Sequence, residues 1–197
     1  HGGSGMKWAL NRDGEVGQVT DTDPTELFVG QVWIPVTAEL VLFAEPGYRV
    51  VEGEICPPSL GHLAAQIAAI VGERYSRERD KGVTVAGHVY RTDRDGRGDL
   101  ADMVKTAEEI EAVQGTGTWA ITWKAEGSYV LLDLTTLKTV SLASAAHVVA
   151  TVAREKAIND AVAAQAAADG ASWRDVVAVY TTEIDSGWRD PEEGARC

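Results

Sequence analysis

Three runs decide the fold: Gly82-Val-Thr-Val-Ala-Gly-His-Val-Tyr-Arg-Thr92, then, after a helical interval, Thr118-Trp-Ala-Ile-Thr-Trp-Lys124 and Ser128-Tyr-Val-Leu-Leu132. Val83 and Val85 flank Thr84, and Trp119, Ile121 and Trp123 alternate with Ala120 and Thr122, the period of a strand with one buried face. A short turn through Gly127 joins the second pair, so the spacing predicts a small antiparallel sheet of three or four strands. Trp119 and Trp123 fall on one face of it and are expected in the core. Between the runs, Leu100, Met103, Val104, Ala107 and Ile110 recur at helical spacing, which predicts an amphipathic helix over 100–113 that stops at Gln114-Gly-Thr-Gly117. After them, Thr135 or Thr136 is placed to cap a long helix ending at Asp169-Gly170, rich in alanine, the strongest helix former. Leu142, Ala145, Ala146, Val149, Val152 and Ala153 form an apolar stripe on that helix, expected to lie across the sheet or beside the preceding helix.

Working back toward the N-terminus, that preceding helix begins where Cys56-Pro-Pro-Ser59 stops a strand and Ser59 can cap. Leu63, Ala64, Ile67, Ile70, Val71 and Tyr75 hold one of its faces, it turns charged at Ser76-Arg-Glu-Arg-Asp-Lys81, and Gly82 closes it. Leu63, Ile67, Ile70, Val71 and Tyr75 form a stripe that must bury against the second domain or another copy, which makes this the candidate self-association helix. Met6–Leu10 and Glu15–Thr20 alternate about Asn11-Arg-Asp-Gly14, a hairpin with the positive φ that tight turns require. Gln31–Val36, Leu40–Phe43 and Tyr48–Val51 are short apolar runs separated by Pro and Gly turns. The expected class is therefore α+β, with a small N-terminal all-β module, a connecting amphipathic helix, and a C-terminal antiparallel sheet packed against a long Ala-rich helix. The expected boundaries are a tag or linker remnant at 1–5, the β module at 6–57, the helix at 58–81, the α+β domain at 82–188 and a disordered tail at 189–197. Ser172–Tyr180 and Ile184–Trp188 are expected as a short helix or strand ending in a Gly turn.

The chain has 197 residues and a formal net charge of −12, with basic residues scattered apart from the run Arg74 to Lys81. Such a surface repels phosphate backbones, which argues against nucleic acid as a partner. No run approaches the roughly 20 apolar residues that cross a bilayer, so membrane insertion is not expected either. Cys56 and Cys197 are distant in sequence and lack a Cys-x-x-Cys partner, so they read as free thiols.

Motifs that carry chemistry are sparse. Asp93-Arg-Asp-Gly-Arg-Gly-Asp99 spaces three carboxylates as a calcium loop does, yet it lacks the closing bidentate Glu and two arginines intrude, which favours an acidic turn. His62, His88 and His147 have no second histidine at i+4 and no His-Glu-x-x-His. Ser128, Ser141, Ser144 and Ser172 lie in no nucleophile elbow, and no phosphate-binding glycine loop occurs. No catalytic residue, metal site or cofactor is assigned, and enzymatic activity is not expected. Six tryptophans stand out instead: Trp8, Trp33, Trp173 and Trp188 fall in small or terminal elements and, with Tyr48, are the candidate partner contacts.

Arg77 to Asp93, Trp119-Ala-Ile-Thr-Trp-Lys124, Gly127 to Asp133, and the long helix with His147-Val and Arg154-Glu155 together resemble a domain of unassigned function. That domain recurs in small proteins encoded among tail-fibre genes of bacteriophages and prophages. Met6-Lys-Trp-Ala-Leu10, Trp33-Ile-Pro-Val36 and Pro46-Gly-Tyr48 resemble its usual N-terminal companion. Ile184-Asp-Ser-Gly-Trp188 is similar to the closing motif of tail-fibre assembly chaperones, with Arg189 where proline is common. The resemblance implies a structural subunit of a tail fibre, tail tip or baseplate, or a fibre-assembly chaperone, located in the virion tail or in host cytoplasm during assembly. It implies fibre or baseplate proteins as partners and a homo-oligomeric state. The alternative is an adsorption module that binds a host-surface glycan or protein through exposed tryptophans.

Overall fold

The computed structural model describes residues 6–24 and 31–188 and shows an α+β protein. Its elements are β1 (Trp8–Arg12), β2 (Glu15–Thr20), β3 (Val32–Pro35), β4 (Arg49–Val51), β5 (Glu54–Cys56), α1 (Leu60–Arg79), β6 (Val83–Val85), β7 (His88–Tyr90), α2 (Arg94–Gln114), β8 (Ala120–Ala125), β9 (Ser128–Asp133), α3 (Leu134–Ala167) and α4 (Trp173–Glu183). Two compact units divide them. Unit one takes the described residues up to Val71 together with Ile158–Asp185, and unit two takes Gly72–Ala157 with the described residues from Ser186. The expected boundary near residue 82 is therefore displaced, because α1 and α3 each contribute to both units. The expected tag remnant and tail, at 1–5 and 189–197, lie outside the described residues.

In unit one, β1–β5 form an antiparallel sheet in the order β3-β1-β2-β4-β5. Its first hairpin turns at Asp13 and Gly14, both with positive φ, as the Asp-Gly pair predicts. The apolar run Leu40–Phe43, expected as strand, instead follows a short 3-10 turn at Ala38–Leu40 and buries Leu40 and Phe43. The sheet does not stand alone as a module. Phe43 meets Tyr180 of α4 edge-to-face with ring centroids 5.7 Å apart, and Arg174 reaches Glu54 at 2.7 Å. Gln66 of α1 donates to the Phe43 carbonyl at 3.1 Å and accepts from the Tyr48 hydroxyl. A sheet too small to bury its own apolar face thus shares one core with two helices.

In unit two the expected single sheet is two separate ribbons, β6-β7 and β8-β9. One backbone bond, from the Glu126 N–H to the Val89 carbonyl at 2.9 Å, ties them at the β8–β9 turn. The period-two pattern holds: Val83, Val85, Tyr90, Trp119, Ala125 and Leu132 are buried, with Ile121, Trp123 and Val130 packed against them. The periodic face of α2 covers this cluster through Leu100 and Ala107, flanked by Met103, Val104 and Ile110. α2 starts six residues earlier than its apolar pattern, because the Asp93 carboxylate caps the Gly96 N–H at 2.8 Å.

α3 corrects three expectations. Its start is capped by Asp133, which accepts from the Thr136 N–H at 2.7 Å, rather than by a threonine. Its buried face is Leu137, Val140, Ser144, His147, Thr151, Ile158 and Val162, spaced three, four or seven apart. The stripe expected to be buried is turned outward instead, with Leu142, Val149 and Val152 exposed. The buried polar residues are partnered in part within unit two: His147 Nε2 donates to the Glu78 carbonyl of α1 at 2.9 Å, and Thr151 donates to the His147 carbonyl at 2.8 Å. Counting its alanines as apolar, α3 is also long and apolar enough to cross a membrane by length and composition, contrary to the expectation that no segment would be.

Candidate functional site

Two surfaces in unit two stand out. The first is the outward stripe of α3, where Leu142, Ala145, Val149 and Val152 repeat at spacings of three, four and three in the same helical face. Leu142 is 73 % exposed, Val149 68 % and Val152 45 %, in a chain whose other large apolar residues are mostly buried. Beside its first turn, Val104, Lys138, Ser141, Leu142 and Ala145 line a shallow groove of about 380 Å³ between α2 and α3. Lys138 is held over that groove by Glu108 at 2.6 Å. Apolar residues at this period present knobs to a second helix.

The second is a cavity of about 690 Å³ whose lining includes Tyr90, Leu100, Trp123 and Lys124. Buried Tyr90 and Leu100 and half-buried Trp123 supply its apolar walls. Burial holds the Tyr90 hydroxyl above its ordinary pKa, so it stays protonated. On the α2 side the chain comes in close. A Cβ at Gly96 would sit 2.8 Å from the Arg91 Cβ, so this turn admits only glycine without rearrangement.

The residues singled out from sequence are placed as follows. Leu63, Ile67 and Val71 are fully buried inside the chain, and Ile70 and Tyr75 are half-buried, so the expected self-association face of α1 is consumed by the protein's own core. Among the candidate partner contacts, Tyr48 and Trp173 are buried and Trp8, Trp33 and Trp188 half-buried; none is an exposed aromatic platform. Arg174 stacks over the Trp173 ring at 4.4 Å. In the acidic loop, Asp93 is engaged as the α2 cap and by Arg91, and the bonded Gly96 N–H followed by the Arg91 guanidinium pulls its carboxyl below the usual range. No group of three or more His, Cys, Asp or Glu side chains converges on a metal position among the described residues.

One pairing was not anticipated. Ser128 Oγ lies 3.3 Å from His88 Nδ1, uniting two residues forty apart in sequence. Among the described residues His88 has no carboxylate hydrogen-bonded to its other nitrogen, so the group that orients a catalytic histidine is missing from this pair. Nor did the sequence signal the cavity, which arises from two ribbons parting rather than from a motif.

The fold is that of an α+β protein. The family model described as Domain of unknown function (DUF4376) matches residues 62–178, and the chain belongs to that family. The match runs from α1 into α4 and leaves the sheet of unit one outside it. No curated protein and no solved structure matches the chain.

Proposed function

We propose that this chain acts through protein–protein contact as a phage tail-associated protein, either a structural subunit or a fibre-assembly chaperone, and that its copies associate through the outward stripe of α3. The observation that carries the contact reading is that stripe: Leu142, Val149 and Val152 stand exposed at helix-pairing spacing around the small Ala145. Burying three such side chains against a partner helix is worth several kcal/mol at roughly 25 cal/mol per Å². The stripe replaces the α1 face as the surface for self-association, because the α1 face is already filled. The tail role is supported by the motif order from Met6 to Trp188 that resembles tail-fibre-associated proteins. Exposed tryptophans were the ground for the adsorption alternative, and the buried or half-buried rings here lend it no support.

The test is co-purification with the neighbouring fibre protein and mass spectrometry of purified virions. Stoichiometric presence in virions identifies a structural subunit, and capture of a fibre with absence from virions identifies a chaperone. Failure to bind any tail component would overturn the tail assignment.

A further inference from the structure

We propose that the cavity beside β8 is a groove that binds an extended, cationic peptide by strand addition. Consecutive residues from Thr122 to Gly127 touch the cavity. Successive side chains of a strand point to opposite faces, so a void touched by every residue in a row lies along the strand's edge rather than on one face. β8 pairs with β9 on its other side and with no other strand among the described residues. Among the described residues one backbone hydrogen bond ties the β8–β9 hairpin to β7, from the Glu126 N–H just beyond β8 to the Val89 carbonyl, after which the chain leaves β7 for α2. Backbone N–H and C=O groups alternate between the two edges of a strand, so Lys124 and Thr122 direct theirs to the same side as Glu126, into the gap. An unpaired strand edge is a template for another chain, and here the template opens onto a cavity of about 690 Å³, in the usual range for a ligand site.

The side-chain chemistry narrows the occupant. Tyr90, Leu100 and Trp123 offer apolar walls to alternate side chains of an added strand. At the rim, Arg91 is committed to Asp93 and Asp80 to Arg79. Asp99 and Glu126 have no ion-pair partner among the described residues, against a single unpaired lysine, Lys124. The residual charge is negative, which complements a peptide that alternates apolar and basic residues.

Titration of the full chain with acetyl-Lys-Val-Lys-Val-Lys-amide tests this, read by calorimetry and by amide exchange. Binding is expected, with slowed exchange at the Thr122 and Lys124 amides. The same peptide methylated on alternate backbone nitrogens keeps its charge and side chains but cannot pair, and it is expected to bind at least about tenfold more weakly. The double variant Asp99→Asn with Glu126→Gln changes only exposed side chains and is expected to weaken the parent peptide about fivefold. No binding of the parent peptide, equal binding of the methylated one, or unchanged exchange at Thr122 and Lys124 would overturn the proposal. α3 plays no part in this experiment, so its outcome is independent of the oligomeric state.

Discussion

Tyr48 carries a hydrogen-bond chain into the core of unit one: its hydroxyl donates to Gln66, whose amide donates to the Phe43 carbonyl. Burial first, and the Glu45 charge second, raise its pKa well above the ordinary value, while the Gln66 bond acts the other way. A raised folded-state pKa means that stability is fully present below the unfolded value of about 10 and falls as pH rises beyond it. Tyr48→Phe is expected to cost about 1–2 kcal/mol at neutral pH, because Gln66 loses a partner in a half-buried site. The variant should also lose less stability than the parent above about pH 10, Tyr90 accounting for what remains. Urea titrations at pH 7 and pH 10.5 check both. Gly82 is a second point of constraint: at φ +87° its Cβ would lie 2.7 Å from the Tyr90 carbonyl oxygen. Its N–H is bonded to the buried Thr92 hydroxyl at 3.1 Å, and that hydroxyl donates in turn to the Arg79 carbonyl. Gly82→Ala is expected to destabilise by more than about 1 kcal/mol, whereas Gly98→Ala, in open space within a helix, should be neutral or slightly stabilising; thermal melts of the two variants compare them.

At the scale of the element, helix starts are set by short acidic caps. Asp93 caps α2 and Asp133 caps α3, while Ser172 and Asp175 form a reciprocal capping box on α4. All three carboxyls lie below the ordinary aspartate range, each chiefly through a backbone N–H bond. A depressed folded-state pKa gives stability that is present above the unfolded value of about 3.9 and is lost as pH falls through the folded values. Helix content followed by circular dichroism should therefore hold from pH 7 to about pH 4 and fail below it. Ser172→Ala should cost about 1 kcal/mol by removing one side of the box, measured by denaturant midpoint.

The helices also show how far residue pattern reached. α1 and α2 were legible because their buried faces are apolar: Leu63, Ile67 and Val71 in one, Leu100 and Ala107 in the other. In α3 the same rule chose the wrong side. Two interleaved stripes run along it, and the buried one includes Ser144, His147 and Thr151, which hydrophobicity ranks below Leu142, Val149 and Val152. His147 is admitted because the Glu78 carbonyl accepts its proton, a partner sixty-nine residues away that no local window contains. The capping of α2 by Asp93 was hidden for a related reason, since the first helical turns carry charges rather than an apolar repeat. The ribbons of unit two kept their period of two, but whether they joined into one sheet depended on the path between Tyr90 and α2, and that decided the cavity as well.

For the whole molecule, the fold joins a small N-terminal sheet to a family domain through helices that belong to both units. Neither unit is assembled from a continuous stretch, so truncation at residue 82 would remove part of α1 from each unit and should leave an insoluble or unfolded fragment, checked by expression and circular dichroism. The acidic chain keeps most of its charged residues at the surface, with Glu78 buried, while leaving an apolar stripe uncovered on α3. On the proposed reading, this stripe is where the protein meets another copy of itself. Light scattering of the full chain beside Leu142→Glu with Val149→Glu tests it most directly. A mass of at least two chains is expected for the parent and of one chain for the variant, with unchanged helix content; a monomeric parent, or a variant of the same oligomeric mass, would contradict association through this stripe.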